Sequence, residues 1–465
     1  MAWQNTEEYK DLIFMTHQTA KNQSIDMTAG SVFHLLIRFA VPLLIGNLFQ
    51  QLYNTVDSLV VGNFVGTQAL AAVGSTTSII NTVVRFFNGV SIGAGVILSR
   101  CYGAHDEKAL SRSVATTLTL TFLCSIFFTV LGVVSAPHLL RLMSTPDDVM
   151  ESASRYLSIY FSGVSGLLIY NMGSAVLRAV GDTRRPLYFL CFSSVLNIFL
   201  DLLLVLVFPL GVSGVAYATV ISQTLSAALI LFVIWKDQST FHFRWKQLRL
   251  EPSIALEIFV IGCPVGIQQS LTALSNVYVQ SFINGFGSSC MAGWSCYSKI
   301  DQFIILPIQS MGQASTTFVS QNIGAGNIKR AKSGTSTALL LALGVTFCSA
   351  VLLWIFAPSL VSLFNQDSMV IHYGAVFLRL CVFFTCFSCF NQVLAGALRG
   401  TGDSRTPMLF MLISYVGFRQ LYLTLAVHIL YIPAVVGFAY PAGWIFCSLL
   451  MSTYYLSGKW EKKLS

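Results

Sequence analysis

Leu177-Arg178-Ala179-Val180-Gly181-Asp182-Thr183-Arg184-Arg185-Pro186 returns in the same chain as Leu398-Arg399-Gly400-Thr401-Gly402-Asp403-Ser404-Arg405-Thr406-Pro407. Six of the ten positions are identical, and the copies stand 221 residues apart. Other landmarks keep that offset: Ala136-Pro137 pairs with Ala357-Pro358, Gly103-Ala104 with Gly324-Ala325, and Gly66 with Gly287. A self-match this regular means one unit written twice. In a membrane chain, such halves are the mark of a transporter fold.

The composition makes this a membrane chain. Of 465 residues, 55% are hydrophobic and 10% charged, against about 25% charged in a soluble domain. Twelve apolar runs of roughly 20 residues fit the sequence, each long enough to cross a bilayer as a helix. They fall near 35–62, 68–98, 113–136, 152–176, 187–209, 212–235, 254–284, 289–319, 334–357, 370–397, 408–430 and 433–457. The expected fold is an all-α polytopic membrane protein with six helices per half. Six is even, so both halves enter the membrane in the same orientation, as parallel repeats. Residues 1–26 then form a polar lead, 27–235 the first lobe, 236–252 a linker, 253–458 the second lobe and 459–465 a basic tail.

A net charge of +8 could indicate nucleic acid, but its distribution points to topology. Counted from a cytoplasmic N-terminus, the even-numbered loops and the tail hold eighteen Lys and Arg, and the odd-numbered loops hold Arg141 alone. This bias places both termini in the cytoplasm of a multi-pass protein of the cell (inner) membrane. The lead has no basic segment followed by a short apolar run, so it is not a signal peptide and is expected to be dispensable. Trp235 and Trp245 bracket the basic linker as interface anchors. Eleven cysteines lie almost entirely in apolar runs, where they act as small hydrophobes. Cys386 and Cys389 have a CxxC spacing without a partner pair, and the seven histidines show no metal-ligand spacing. No Walker motif is present, which excludes ATP hydrolysis by this chain.

Polar residues inside apolar runs are the candidates for chemistry. In the first helix Asn47, Gln50, Asn54 and Asp57 recur at spacings of 3, 4 and 3, hence on one face. Amides can be interhelical glue, but the acid ending the stripe favours a cavity. The seventh helix repeats the pattern at a local offset of 222, with Pro264 matching Pro42 and Gln269, Thr272 and Asn276 forming the stripe. Val279 replaces the acid. The fifth helix carries Asn197 and Asp201 one turn apart, and Thr219 lies in the sixth; Phe418 and Tyr422 stand opposite Asn197 and Asp201 in the second half. Measured from each helix's outer end, Asp57 is about 13 Å deep and Asp201 and Thr219 about 12 Å. Three helices thus bring polar groups to one level, and both acids belong to the first half only. The remaining cavity candidates are Tyr53, Asn171, Asn391, and the neighbours Lys299 and Asp301, which point to different faces. Arg85, Arg155, Arg379 and Arg419 fall within or near spans, and snorkelling is the default near helix ends.

The doubled loop, Gln321-Asn322-Ile323-Gly324-Ala325-Gly326-Asn327, and the helix from Pro42 to Asp57 together resemble the multidrug and toxic compound extrusion (MATE) family, over about Thr28 to Gly458. The resemblance implies a V-shaped pair of lobes working by alternating access as a cation-coupled antiporter. The pattern is most similar to the DinF-like branch, whose acid in the first helix, Asn-x-x-x-Asp in the fifth and threonine in the sixth correspond to Asp57, Asn197, Asp201 and Thr219. The NorM-like branch carries an acid in the seventh helix, where this chain has Thr272. The expected activity is export of organic, often cationic, compounds against H+ or Na+, by a monomer without cofactor, with no metal other than Na+ at those four residues. The alternative is a flippase or exporter of a lipid-linked or other amphiphilic metabolite. An enzyme would need a nucleophile–base pair or metal cluster within the spans, and a channel a repeated filter motif; neither is found.

Overall fold

The computed structural model describes residues 24–65, 67–143 and 145–463, without the side chains of residues 54, 57–59, 62–63 and 67–71. Among the described residues every regular element is helical. In the first half the spans are Val32–Val60, extended by the π-helical turn Val61–Val65; Thr67–Gly103; Glu107–Leu142; the pair Asp147–Ser162 and Val164–Ala179, bent by 46°; Arg184–Leu202, extended by the π-turn Leu203–Val207; and Val212–Lys236. The second half has Pro252–Asn284; Ser288–Gly324; Ile328–Ile355; Ser368–Cys381 joined to Thr385–Gly400 by a 3-10 turn; Arg405–Ile429, interrupted by the π-turn Ile413–Phe418; and Pro433–Leu456.

Twelve spans therefore stand in the order expected from the sequence. Among the described residues ten are long and apolar enough to cross a membrane as single helices, and the bent pair makes an eleventh. The one left over, Ser288–Gly324, has 37 residues, about 55 Å of helix. Its Lys299, Asp301 and glutamines make it more polar than the others, as a helix buried among its neighbours can be. The outer faces are apolar, with Ile126, Phe127, Val130 and Val134 of the third span all exposed, which suits a surface solvated by lipid.

Two compact units result. One holds the described residues up to Ala29 together with Ile45–Phe259; the other holds Gly30–Leu44 and Val260–Ser465. The boundaries thus run through the first and seventh spans, near Pro42 and Pro264. Equivalent positions build the two cores. Leu177 packs with Ile230 in the first unit's core, and Leu398 with Met451 in the second's. Helices approach closely where side chains vanish: a Cβ on Gly396 would collide with the carbonyl of Gly312 on the neighbouring span.

The doubled loop is a helix stop followed by a helix start. Gly181 and Gly402 take φ of 86° and 88°, the left-handed conformation that ends a helix. The N–H groups of Asp182 and Asp403 reach back over that glycine and donate to the carbonyls of Leu177 and Leu398, each at 3.0 Å. The aspartate side chains then cap the next helix. Asp182 Oδ1 accepts from the N–H of Arg184 and Arg185, both at 3.1 Å, and Asp403 Oδ1 from that of Thr406 at 3.2 Å. Proline comes next, in the first turn, where no helical hydrogen bond is lost.

Each loop also receives a later segment. Arg185 bridges Asp182 (3.3 Å) and Asp237 (3.1 Å) just past the sixth span, while Phe241 and Phe243 insert into the core. In the second unit Lys463 and Tyr454 donate to Asp403 at 2.7 and 2.8 Å, and Trp460 is buried. Burial pushes the Asp182 carboxyl upward despite its bonds with Arg185 and Arg184. At Asp403 burial acts the same way, but the bonds from Lys463, Tyr454 and Thr406 outweigh it and hold the carboxyl below its usual range. Residues 24–27, the only described part of the polar lead and the methionine after it, pack against the first loop. Ile25 and Met27 are buried, and the Ile25 carbonyl lies where a Cβ of Gly181 would stand.

Candidate cation and substrate sites

In the first unit the fifth and sixth spans bring Asn197, Asp201 and Thr219 together, all buried. The Asn197 amide links them. In the orientation that satisfies both ends, its nitrogen donates to Asp201 Oδ2 at 3.0 Å and its oxygen accepts from the Thr219 N–H at 3.1 Å. The Thr219 hydroxyl donates to the Val215 carbonyl at 3.1 Å. One turn further along each helix, Val205 and Val215 join Val61 and Tyr156 in an apolar cluster that closes one side of the polar layer. Asp57 lies on the first span one turn before Val61. Its side chain, like that of Asn54, lies outside the described residues. The first and fifth spans both pass into π-turns just beyond their acids, and these turns touch. Such turns widen the helix and recur at functional sites.

The other candidates are dispersed. In the first span Asn47 and Tyr53 are half-buried and Gln50 is exposed; Asn171 is half-buried and donates to the Leu167 carbonyl at 3.0 Å. In the seventh span Asn276 is exposed and Gln269 and Thr272 are half-buried. The core-facing residues there are Gln268 and Ser275, which the repeat comparison does not single out. Gln268 donates to Thr272 Oγ1 at 3.3 Å, and Thr272 returns a bond to the Gln268 carbonyl at 2.8 Å. Gln268 and Ser275 thus turn toward the unit's own core, and the stripe of Gln269, Thr272 and Asn276 lies on the more exposed face beside them. Lys299 is exposed, its ammonium 5.5 Å from the Phe364 ring centroid, and Asp301 is half-buried on a separate face. Asn391 is fully enclosed: its amide donates to Tyr415 Oη (2.9 Å) and the Trp444 carbonyl (3.0 Å), and its oxygen accepts from Ser448 (3.0 Å).

Arg419 departs from the snorkelling expected of arginines near helix ends. It sits mid-way along the eleventh span with 3% exposure, and donates to Ser275 Oγ at 2.6 Å. No group of three or more His, Cys, Asp or Glu able to hold a metal occurs among the described residues.

The MatE family model matches this chain twice, over residues 42–203 and 264–422, once in each half and starting at each half's proline. This chain belongs to the MATE family. Its members are transporters and not enzymes. The chain is 30% identical over 94% of its length to the probable multidrug resistance protein YpnP of Bacillus subtilis (strain 168), covering 98% of that protein. To the probable multidrug resistance protein YoeA of the same organism it is 28% identical over 93%, covering 95%. A multidrug resistance MATE family transporter of the MOP superfamily in an outward-facing conformation superposes with a TM-score of 0.88 at 21% identity, covering 95% of this chain and 98% of that one. The duplication, the helical fold and the family expected from the doubled loop are thus all found.

Proposed function

We propose that this MATE transporter is a cation-coupled antiporter that exports organic, often cationic, compounds by alternating access. Its relatives YpnP and YoeA, described as probable multidrug resistance proteins, support the substrate class. The observation that carries the coupling is the first unit's polar layer: a fully buried carboxylate, Asp201, tied through Asn197 to Thr219, with Asp57 on the first span. A buried carboxylate is costly in a membrane unless it is protonated, paired or bound to a cation. Proton affinity at Asp201 therefore responds to whether the layer is open to water. The Asn197 amide turns its N–H toward Asp201, which suits a carboxyl oxygen that accepts. Sodium would draw the amide oxygen round to join Asp201 and the Thr219 hydroxyl as ligands. Binding at this layer changes how the first, fifth and sixth spans pack through their π-turns, and so drives substrate release outward.

The protein works as a monomer in the cell membrane with both termini cytoplasmic, on the charge asymmetry of its loops. Single cysteines at Lys246 and Asp148 on a cysteine-free background test the sidedness: only position 148 should label from outside intact cells.

Substrate efflux from proteoliposomes under separately imposed proton and sodium gradients tests the coupling. Asp57→Asn and Asp201→Asn should insert at wild-type abundance yet lose gradient-driven efflux. Either variant pumping at the wild-type rate would remove that residue from the coupling site.

A further inference from the structure

The second unit holds a charge where the first holds its acid layer. Three helices build the first unit's layer: the first, fifth and sixth spans. Their repeats are the seventh, eleventh and twelfth. Thr219 corresponds to Tyr440 at the offset of 221, and Tyr53 to Ser275 at the local offset of 222. In the second unit these positions converge on Arg419. The guanidinium donates to Ser275 Oγ at 2.6 Å and lies 4.8 Å from the Tyr440 ring centroid. Gln420 donates to the Ser275 carbonyl at 3.0 Å, and Ser275 donates to the Tyr415 carbonyl at 2.7 Å.

Sequence alignment of the halves hides this correspondence, because it pairs Asn197 with Phe418 and Ile198 with Arg419. The π-turns explain the slip. In the fifth span the π-turn Leu203–Val207 comes after Asp201; in the eleventh, Ile413–Phe418 comes immediately before Arg419. A π-turn inserts one residue and rotates the downstream helix by about 100°. Arg419 is thereby carried to the face that Asn197 occupies, and it is buried as Asn197 is. Phe418 instead stacks on Phe446 at 4.5 Å. The partners of the buried cation are the Ser275 hydroxyl and the Tyr440 ring.

We infer that Arg419 is a tethered cation: its guanidinium fills in the second unit the place that an exchangeable cation takes in the first, so that only the first unit cycles charge. This rests on the proposed coupling role of the first unit. A fixed guanidinium neither leaves nor deprotonates, so it holds the seventh, eleventh and twelfth spans in one packing while the first unit alternates.

The test is chemical rescue. Arg419→Ala opens a space at the guanidinium and should lower efflux at least tenfold in proteoliposomes. Millimolar guanidinium or methylguanidinium should restore both efflux and thermal stability several-fold, whereas equal sodium or urea should not. Arg419→Lys should retain most of the stability, and the pH dependence of the residual or rescued efflux should match that of the wild type. The inference is overturned if Arg419→Ala pumps at the wild-type rate, if sodium rescues as well as guanidinium, or if neither efflux nor stability responds to guanidinium. The stability readout needs no transport, so it stands even if Asp57→Asn and Asp201→Asn show that the first unit is not the coupling site.

Discussion

Lys463 donates to Asp403 Oδ2 at 2.7 Å and so closes the end of the chain onto the second copy of the doubled loop. The first copy makes the equivalent closure with the charges exchanged: there the loop supplies the cation, Arg185, and the segment after the sixth span supplies the acid, Asp237. One docking arrangement has thus been kept with its polarity reversed.

The Lys463–Asp403 pair has a defined pH window. Asp403 is held below its usual range and Lys463 is raised by its bond to Asp403. A depressed acid stabilises above its unfolded pKa and loses that contribution as pH falls, here below about 4; a raised lysine loses its contribution above about 10.4. Docking of the tail should therefore be flat between those limits. Lys463 is more than half exposed, so Lys463→Met should change stability by at most about 1 kcal/mol. Trp460→Ala, at a buried ring, should cost about 3 kcal/mol or more. Proteolysis of the tail against pH in each variant checks both statements.

Gly181→Ala should be more harmful than Gly30→Ala. Both glycines have positive φ, 86° and 83°, and the left-handed backbone alone costs an alanine about 1–2 kcal/mol. Around Gly30 a Cβ meets nothing within 4 Å, whereas at Gly181 it meets the Ile25 backbone. Thermal unfolding in detergent should show the larger drop for Gly181→Ala. Equal drops would mean that residues 24–27 do not pack there.

Asn391→Ala separates two roles for the tenth span. With its amide occupied by Tyr415, Trp444 and Ser448, removal leaves buried groups unsatisfied, at about 1–3 kcal/mol. The expected result is lower thermal stability with an unchanged substrate Km at permissive temperature. A changed Km at unchanged stability would instead put Asn391 on the substrate's path.

Asn197→Ala tests the bridge in the first unit. Loss of the amide removes the donor to Asp201 Oδ2 and the acceptor of the Thr219 N–H. The buried carboxylate then loses a bond, so gradient-driven efflux should fall while the protein still inserts. Wild-type efflux at wild-type abundance would place Asn197 outside the coupling layer.

Much of this protein is legible in its sequence. The offset between Leu177 and Leu398 reveals the duplication, and hydropathy marks all the spans but the polar Ser288–Gly324, which the repeat supplies, because crossing a bilayer is a demand on each segment separately. The pairing of Asn197 with Asp201 comes from a spacing of four within an uninterrupted helix. Gly181 and Asp182 act as a stop and a cap within a few residues of themselves, so their roles too are local.

Helical phase is what the tertiary structure alone decided. The seventh span turns Gln268 and Ser275 into the core and leaves Gln269 and Asn276 on its more exposed face, and the eleventh turns Arg419 inward in place of Phe418. A stripe can be counted from the sequence, but the face it presents depends on where a π-turn adds a residue and on which neighbour the helix packs against. Those choices are made by contacts between spans more than a hundred residues apart, such as Arg419 with Ser275. By its sequence Arg419 is a cation free to snorkel; the fold assigns it to the core.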